Sequence, residues 1–378
     1  MEKEKLNVGI ILASDPNFLG GLALYQKNLI SYLNKNVNLS LIYKGSKNEK
    51  KKDKGVNFFQ LKAPEMSFIG NLFFEFKAKN FLKKNKFNII NSHGFTGLWM
   101  NSSKKNTKLV HTYHGSTYHF YNNHLKRFGK IKRILFSPIL FIPYLVERFP
   151  MKKADKIICV SEHVKNDLTG LHGVRKNIEV IRTGVSLKNF KQRNKEKTKE
   201  KLNLNKNHLY GLYVGRGGFW TKGLDKVINL SREIYKLNNN FKLIIIGAEK
   251  EKVKHLLDEK FTTLLLPQSR EDIPYYYSAS DIFFSMSRCE GGAPTMVTSE
   301  AMASGCLVVT DKEANQEIFQ DKINGLILKK DYAEEAKRIL KTIKNKKEIK
   351  KITNNSLKTI KNLSLENWAK RYINVLIN

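Results

Sequence analysis

No apolar run of roughly 18 residues, the length needed to cross a bilayer, occurs in the 378-residue chain, so no spanning helix is expected. Cysteine is scarce. Cys159, Cys289 and Cys306 are far apart, and no Cys or His stands at metal-ligand spacing, which argues against a disulfide scaffold or a zinc site and fits a reducing cytoplasm. The opening residues MEKEKLNVGIILAS lack the basic stretch and apolar core of roughly 7 to 15 residues that a secretory signal requires. Acidic residues are few: 34 Asp and Glu face 68 Lys and Arg, a formal charge of +34. An imbalance of that size points to an anionic partner, whether phospholipid, nucleic acid or phosphorylated substrate. Much of it is Lys dispersed among Asn and Ile, as in Lys47 to Gly55 and Lys191 to Lys201, where a solvated surface reflecting a coding bias is the better reading than selected contacts. Nucleic-acid binding would want aromatics interleaved with basic residues on an exposed face, and here the aromatics sit mostly within apolar runs.

With 41% hydrophobic residues, a chain of this length is expected to form two domains of roughly 150 to 200 residues, each with its own core. Apolar runs of strand length recur with helical patterns between them: Val8 to Leu12, Leu39 to Tyr43, Val56 to Leu61, Phe87 to Asn91, Lys108 to Tyr113, Lys156 to Val160 and Ile178 to Ile181. A polar, lysine-rich stretch interrupts the pattern. It restarts at Leu209 to Val214, then Lys242 to Ile246, Thr263 to Leu266, Ile282 to Met286, Leu307 to Thr310 and Leu326 to Leu328. Strand, helix, strand at this spacing predicts parallel sheets covered on both faces, an α/β chain of two doubly wound domains. The expected boundaries are 1–185 for the first domain, 186–207 for a linker, 208–360 for the second domain and 361–378 for a closing helical segment that packs back on the first.

Arg216 and Lys222 follow the run ending at Val214, and Glu290 and Glu300 follow the run ending at Met286, so all four belong at the carboxyl edge of one sheet, where such folds bind ligands. Cations and carboxylates on one rim suit a ligand with a diphosphate at one end and hydroxyls at the other. The turn Gly215-Arg216-Gly217-Gly218-Phe219-Trp220-Thr221-Lys222-Gly223 is neither G-x-G-x-x-G nor a Walker A loop, which disfavours dinucleotide chemistry and ATP hydrolysis. An Arg and a Lys in such a turn can neutralise a diphosphate leaving group, or they are two surface cations. Gly20-Gly21 opens the helical stretch Leu22 to Leu33, where exposed N–H groups and the helix dipole attract an anion; an ordinary loop reads the same way. His114 stands at a strand end before Gly115 as a candidate for contacting substrate.

The segment Glu290-Gly291-Gly292-Ala293-Pro294, followed by Glu300-Ala301-Met302-Ala303-Ser304-Gly305, resembles the acidic signature of the retaining family 4 glycosyltransferases, which have the GT-B fold. Gly215-Arg216, Lys222-Gly223, Ala154 to Ser161, Gly184-Val185, Ala279-Ser280-Asp281 and Asn324-Gly325 are similar to that group in order and spacing, so the resemblance covers nearly the whole chain. Group members usually have a shorter spacer between the two glutamates; here Glu290 and Glu300 enclose nine residues, which puts the placement of Glu290 in question. The resemblance implies two Rossmann-like domains and transfer of a sugar from a nucleotide diphosphate donor, such as a UDP- or GDP-sugar, to a hydroxyl with retention of configuration. It implies a donor site of Gly20, Gly21, Gly215, Arg216, Lys222, Glu290 and Glu300. Catalytic roles fall to Arg216, Lys222, Glu290 and His114, with Glu290 facing the sugar, Glu300 on the ribose hydroxyls and His114 on the transferred sugar. No Asp-x-Asp occurs, so neither a metal nor another cofactor is expected, the cations taking over the phosphate charge. Two other classes stay open: a nucleotide-sugar epimerase of the same fold, and a nucleic-acid-binding protein using the net charge.

Residues 126–156 hold an apolar stretch of 13 residues, Ile134 to Val146, interrupted by two prolines and flanked by Lys and Arg. It is too short to span a membrane and suits a segment lying in an anionic interface, with Arg127, Lys130, Lys132, Arg133, Leu135, Phe136 and Phe141 as contacts; a helix buried under the first sheet is the competing reading. The expected setting is therefore cytoplasmic, peripheral on the inner face of the plasma membrane, with a glycan or lipid-linked acceptor.

Overall fold

A computed structural model of the chain describes residues 5–16, 20–65, 67–100, 107–125, 131, 141–216, 219–265, 268–311 and 317–378. The chain divides into two compact units. Met1–Arg182 joins Trp368–Asn378 in the first, and Thr183–Asn367 forms the second.

Among the described residues the first unit carries β1 (Asn7–Leu12), β2 (Asn38–Gly45), β3 (Glu49–Asp53), β4 (Val56–Lys62), β5 (Ile89–His93), β6 (Lys108–Tyr113), β7 (Lys156–Cys159) and β8 (Ile178–Val180), in the spatial order β3-β4-β2-β1-β5-β6-β7-β8. All neighbours are parallel except β3 and β4. The lysine run Lys47 to Gly55, read as solvated surface, supplies β3: its residues are exposed, and Lys50 and Lys51 reach over the Phe59 and Phe58 rings of β4. A charged edge strand of this kind discourages pairing with another chain.

The second sheet is fully parallel: β9 (Leu209–Val214), β10 (Phe241–Ile246), β11 (Thr262–Leu265), β12 (Ile282–Ser285), β13 (Leu307–Thr310) and β14 (Leu326–Ile327), ordered β11-β10-β9-β12-β13-β14. Its central strands β10, β12 and β13 are largely apolar runs because both faces are buried, while the edge strand β11, Thr262–Leu265, is only partly covered. Leu243, Ile245 and Phe284 face a core completed by the helices Leu224–Leu237 and Tyr332–Lys344, while Ile244, Ile246 and Phe283 face another completed by Met296–Ser304 and Tyr277. The helix Met296–Ser304 is buried from Thr298 to Ser304, which is why it shows no amphipathic stripe.

The lysine-rich stretch 186–207, expected as a linker, is folded into the second unit. Phe190 joins its core, Asn194 caps the helix Lys195–Lys201 by accepting from the Lys197 N–H, and Lys195 meets Asp281 at 2.6 Å. Lys199, almost fully buried, donates to the His208 carbonyl at 2.7 Å. Composition suggested a solvated segment; specific acceptors for Lys195 and Lys199 override that reading for those two, while Lys188, Lys191, Lys197 and Lys201 are exposed.

Candidate functional site

In both sheets the chain order reverses once among the parallel strands. Strands run one way from β9 through β10 to β11, and the other way from β12 through β13 to β14, so the reversal falls between β9 and β12; in the first unit it falls between β1 and β5. Loops leaving adjacent strands on either side of such a reversal diverge and open a crevice at the carboxyl ends.

The two loops at the second reversal are tied together. Gly223 sits at φ 71, where its hydrogen faces the Met286 carbonyl; a Cβ there would lie 1.9 Å from that oxygen. The Arg288 N–H donates to the Thr221 carbonyl at 2.9 Å, and the Arg288 guanidinium holds Asp225 through two bonds of 2.7 Å while stacking 4.6 Å above the Trp220 ring. A forked, stacked arginine pair of this kind is geometrically demanding and rigid. On this frame Lys222 meets Glu290, Nζ to Oε1, at 2.6 Å, both side chains half-buried. The long Glu290 to Glu300 spacer therefore keeps Glu290 on the rim. Arg216, in the same turn, is exposed and has no ion-pair partner among the described residues.

Glu300 lies apart from these. It occupies the second turn of the helix Met296–Ser304, behind the cap that Thr295 makes to the Thr298 N–H, and is 3% exposed. The Tyr277 hydroxyl donates to its Oε2 at 3.0 Å, and Arg270 stands 3.6 Å from Oε1. Burial pushes its carboxyl up to about 7, with Arg270 and the Tyr277 hydrogen bond acting in the opposite sense. Such a carboxylate seeks further donors.

In the first unit Gly20 and Gly21 begin the helix Gly21–Leu33, whose first turn carries no acid; a Cβ at either glycine would meet nothing within 4 Å. His114 follows β6, and its Nε2 lies 3.0 Å from Nδ1 of His93. His111 is sealed within β6, its Nδ1 bonded to the Ser92 hydroxyl at 2.8 Å. Of the membrane-contact candidates, Arg127, Lys130, Lys132, Arg133, Leu135 and Phe136 lie outside the described residues. Phe141 opens the helix Phe141–Lys153 and is 58% exposed.

The structure thus brings Lys222 and Glu290 into contact and leaves Arg216 and Glu300 without a contact to either. Arg288, Asp225, Arg270, Tyr277 and His93 are the site-supporting residues that sequence reading missed. Arg288 lies within the segment that carries the acidic signature and His93 ends a strand run, so both had a positional signal; Asp225, Arg270 and Tyr277 had none.

Two doubly wound units with loops of this construction define a GT-B fold, and solved structures agree. Sucrose-phosphate synthase from Thermosynechococcus elongatus superimposes with a TM-score of 0.80 over 98% of each chain at 18% identity. Anabaena HepE in complex with UDP-glucose does so at 0.70 over 98% of this chain and 99% of that one, at 15% identity. The model of Glycosyltransferase Family 4 matches residues 19–189 and that of Glycosyl transferases group 1 matches residues 194–359; the chain belongs to the family 4 glycosyltransferases. An uncharacterized glycosyltransferase of Methanocaldococcus jannaschii is 27% identical over 277 residues, which are 71% of this chain and 65% of that relative, so the match spans slightly less than two thirds of its length.

Proposed function

We propose that this protein transfers a sugar from a nucleoside diphosphate donor to a hydroxyl acceptor with retention of configuration. The observation that carries the reading is the Lys222–Glu290 pair at 2.6 Å on the β9/β12 reversal, beside an exposed Arg216. When the bond from the anomeric carbon to the diphosphate breaks, negative charge grows on the leaving phosphate, and Lys222 and Arg216 stabilise it without a metal. The acceptor oxygen bonds the anomeric carbon and its proton passes to a phosphate oxygen. Glu290 holds Lys222 and faces the sugar, Glu300 accepts the ribose hydroxyls, and the Gly20-Gly21 helix start adds backbone donors toward anionic charge.

The acceptor in this reading is a lipid-linked or envelope glycan met at an anionic membrane surface, which sets the enzyme on the inner face of the plasma membrane. Support comes from the first unit. Ile142 and Phe149 are exposed two turns apart on the helix Phe141–Lys153, which ends in Lys152 and Lys153. The helix Ser67–Lys84 exposes Ile69, Phe73 and Phe76 at helical spacing and ends in Lys83 and Lys84. Apolar stripes beside lysines suit an interface. No helix among the described residues is long and apolar enough to cross a membrane.

The deciding experiment is a thermal-shift screen of the full chain against UDP, GDP, ADP and their sugar conjugates, with and without EDTA. Stabilisation by one nucleotide that survives EDTA is expected, since a ligand that binds only the folded state raises its apparent stability. No shift with any of them would overturn the reading.

A further inference from the structure

Asn91, Thr112, His93 and Tyr372 are buried together in the first unit, at most 3% exposed, around the carboxyl ends of β5 and β6. The direction of every hydrogen bond among them follows from one backbone group. Asn91 Nδ2 lies 3.1 Å from the Val110 carbonyl, and a carbonyl only accepts, so that end of the amide is the NH2 and the other is the acceptor oxygen. Oδ1 then takes the Tyr372 hydroxyl proton at 2.9 Å and the Nε2 proton of His93 at 2.8 Å, filling its two lone pairs. Asn91 Nδ2 also donates to Thr112 Oγ1 at 3.1 Å, and the Thr112 hydroxyl donates to the Tyr372 oxygen, closing a ring.

His93 is buried next to two other imidazoles, which holds its protonation well below the ordinary range, so it is neutral with a single ring proton. That proton is on Nε2. Its Nδ1 is therefore bare and, 3.0 Å from His114 Nε2, accepts a proton from it. Burial lowers His114 to about 4, so His114 too is neutral, and its Nδ1 is bare. The His114 ring is held in place by His93, near-parallel at 5.3 Å, and by the edge of Tyr25 at 4.8 Å. His114 is only partly buried, and its Nδ1 has no partner among the described residues.

We propose that His93 is a positioning residue that fixes His114 as the Nε2–H tautomer, so that His114 presents Nδ1 as a hydrogen-bond acceptor to a hydroxyl of the transferred sugar. The sugar-facing half of this rests on the donor reading above; the tautomer half does not. His114 then selects donors by a hydroxyl at one position and takes no part as an acid, and the C-terminal helix residue Tyr372 acts on that choice through Asn91.

The test is a long-range proton–nitrogen correlation spectrum of full-length protein labelled with 15N-histidine, together with binding of UDP-glucose against UDP and of GDP-mannose against GDP. Wild type is expected to show His114 protonated on Nε2 alone. His93→Leu should give His114 a mixture of tautomers and weaken the sugar nucleotide by about tenfold or less, the worth of one buried hydrogen bond, with the bare diphosphate unaffected. His93→Gln, whose amide keeps one donor and one acceptor, should restore both readouts. A wild-type His114 protonated on Nδ1 overturns the proposal without any variant or ligand. An unchanged tautomer and unchanged sugar preference in folded His93→Leu also overturn it. A protein with the assigned tautomer that binds no nucleotide overturns the sugar-facing half and the donor reading together, with His93's hold on His114 established separately.

Discussion

Where the first sheet reverses, a pair of neutral imidazoles stands near the carboxyl ends: buried His93 and partly buried His114, oriented by the Asn91 amide and the Tyr372 hydroxyl. Where the second sheet reverses, they are ionised and half-exposed: Lys222 on Glu290, Arg288 on Asp225, and Arg216 in the open. Both sheets carry one reversal among their parallel strands, so the difference lies in the loops; on the proposed readings the two sets meet different parts of the donor. A diphosphate carries formal charge and suits cationic side chains. Sugar hydroxyls carry none, and neutral imidazoles in a low-dielectric setting discriminate among them through lone-pair geometry. On the two proposals together, Lys222 and Arg216 supply most of the rate and His114 the choice of sugar.

The sharpest way to break that division is to remove a cation. Arg216→Ala and Lys222→Ala should each lower kcat by roughly 10²- to 10³-fold, the range for losing one preorganised group that stabilises developing charge. Affinity for the free nucleoside should barely change. Steady-state kinetics with the donor identified in the screen decides the matter. Equal losses in kcat and in nucleoside affinity would remove the leaving-group role, and a comparable kcat loss in His114→Ala would erase the contrast between the units.

Apart from the charged edge strand β3, the strand runs of both sheets were legible because buried parallel strands read as apolar stretches, and the Ile244/Ile245 alternation between two cores shows why. The signature residues were legible by type and order. What sequence could not supply is pairing at a distance: Arg288 and Asp225 are 63 positions apart, Lys222 and Glu290 are 68, and nothing in either residue type names its partner. His93 was passed over since its strand run was closed at Asn91, two residues short of the strand end that carries the imidazole. The segment 186–207 misled because lysine content reports solvation only when no buried acceptor awaits, and here Asp281 and the His208 carbonyl do.

A smaller effect separates Glu300 from the fixed charges around it. Its carboxyl, ordinarily near 4.5, is raised to about 7 by burial, so the native state keeps a proton that the unfolded chain has lost between those values. Stability of the free protein should therefore fall as pH rises through that window. Ribose hydroxyls need the ionised acceptor, so nucleotide affinity should move the other way, rising about tenfold between pH 6 and 8. Calorimetric titration of wild type and Glu300→Gln with the same nucleotide removes the phosphate's own ionisation from the comparison. Parallel pH profiles in the two proteins would detach Glu300 from the ribose.

The smallest expected effect tests whether the apolar stripes belong to the first unit's role. Phe73 is 54% exposed and Phe76 58%, with Phe141 and Phe149 similarly open, and each would lose only part of its remaining water contact at a headgroup boundary. A paired change, Phe73→Ser with Phe76→Ser or Phe141→Ser with Phe149→Ser, should lower partition onto vesicles of phosphatidylglycerol and phosphatidylcholine by about threefold to tenfold, because partial burial of apolar area adds only modestly to the charge attraction. Raising the salt should weaken wild type and variants by the same factor, since the lysines are untouched. Co-sedimentation across a salt series separates the two terms. If the variants bind as wild type does at every salt concentration, the aromatic stripes play no part and attraction to the membrane rests on lysines alone; if they also lose UDP or GDP binding, the stripe residues hold up the fold and not a surface.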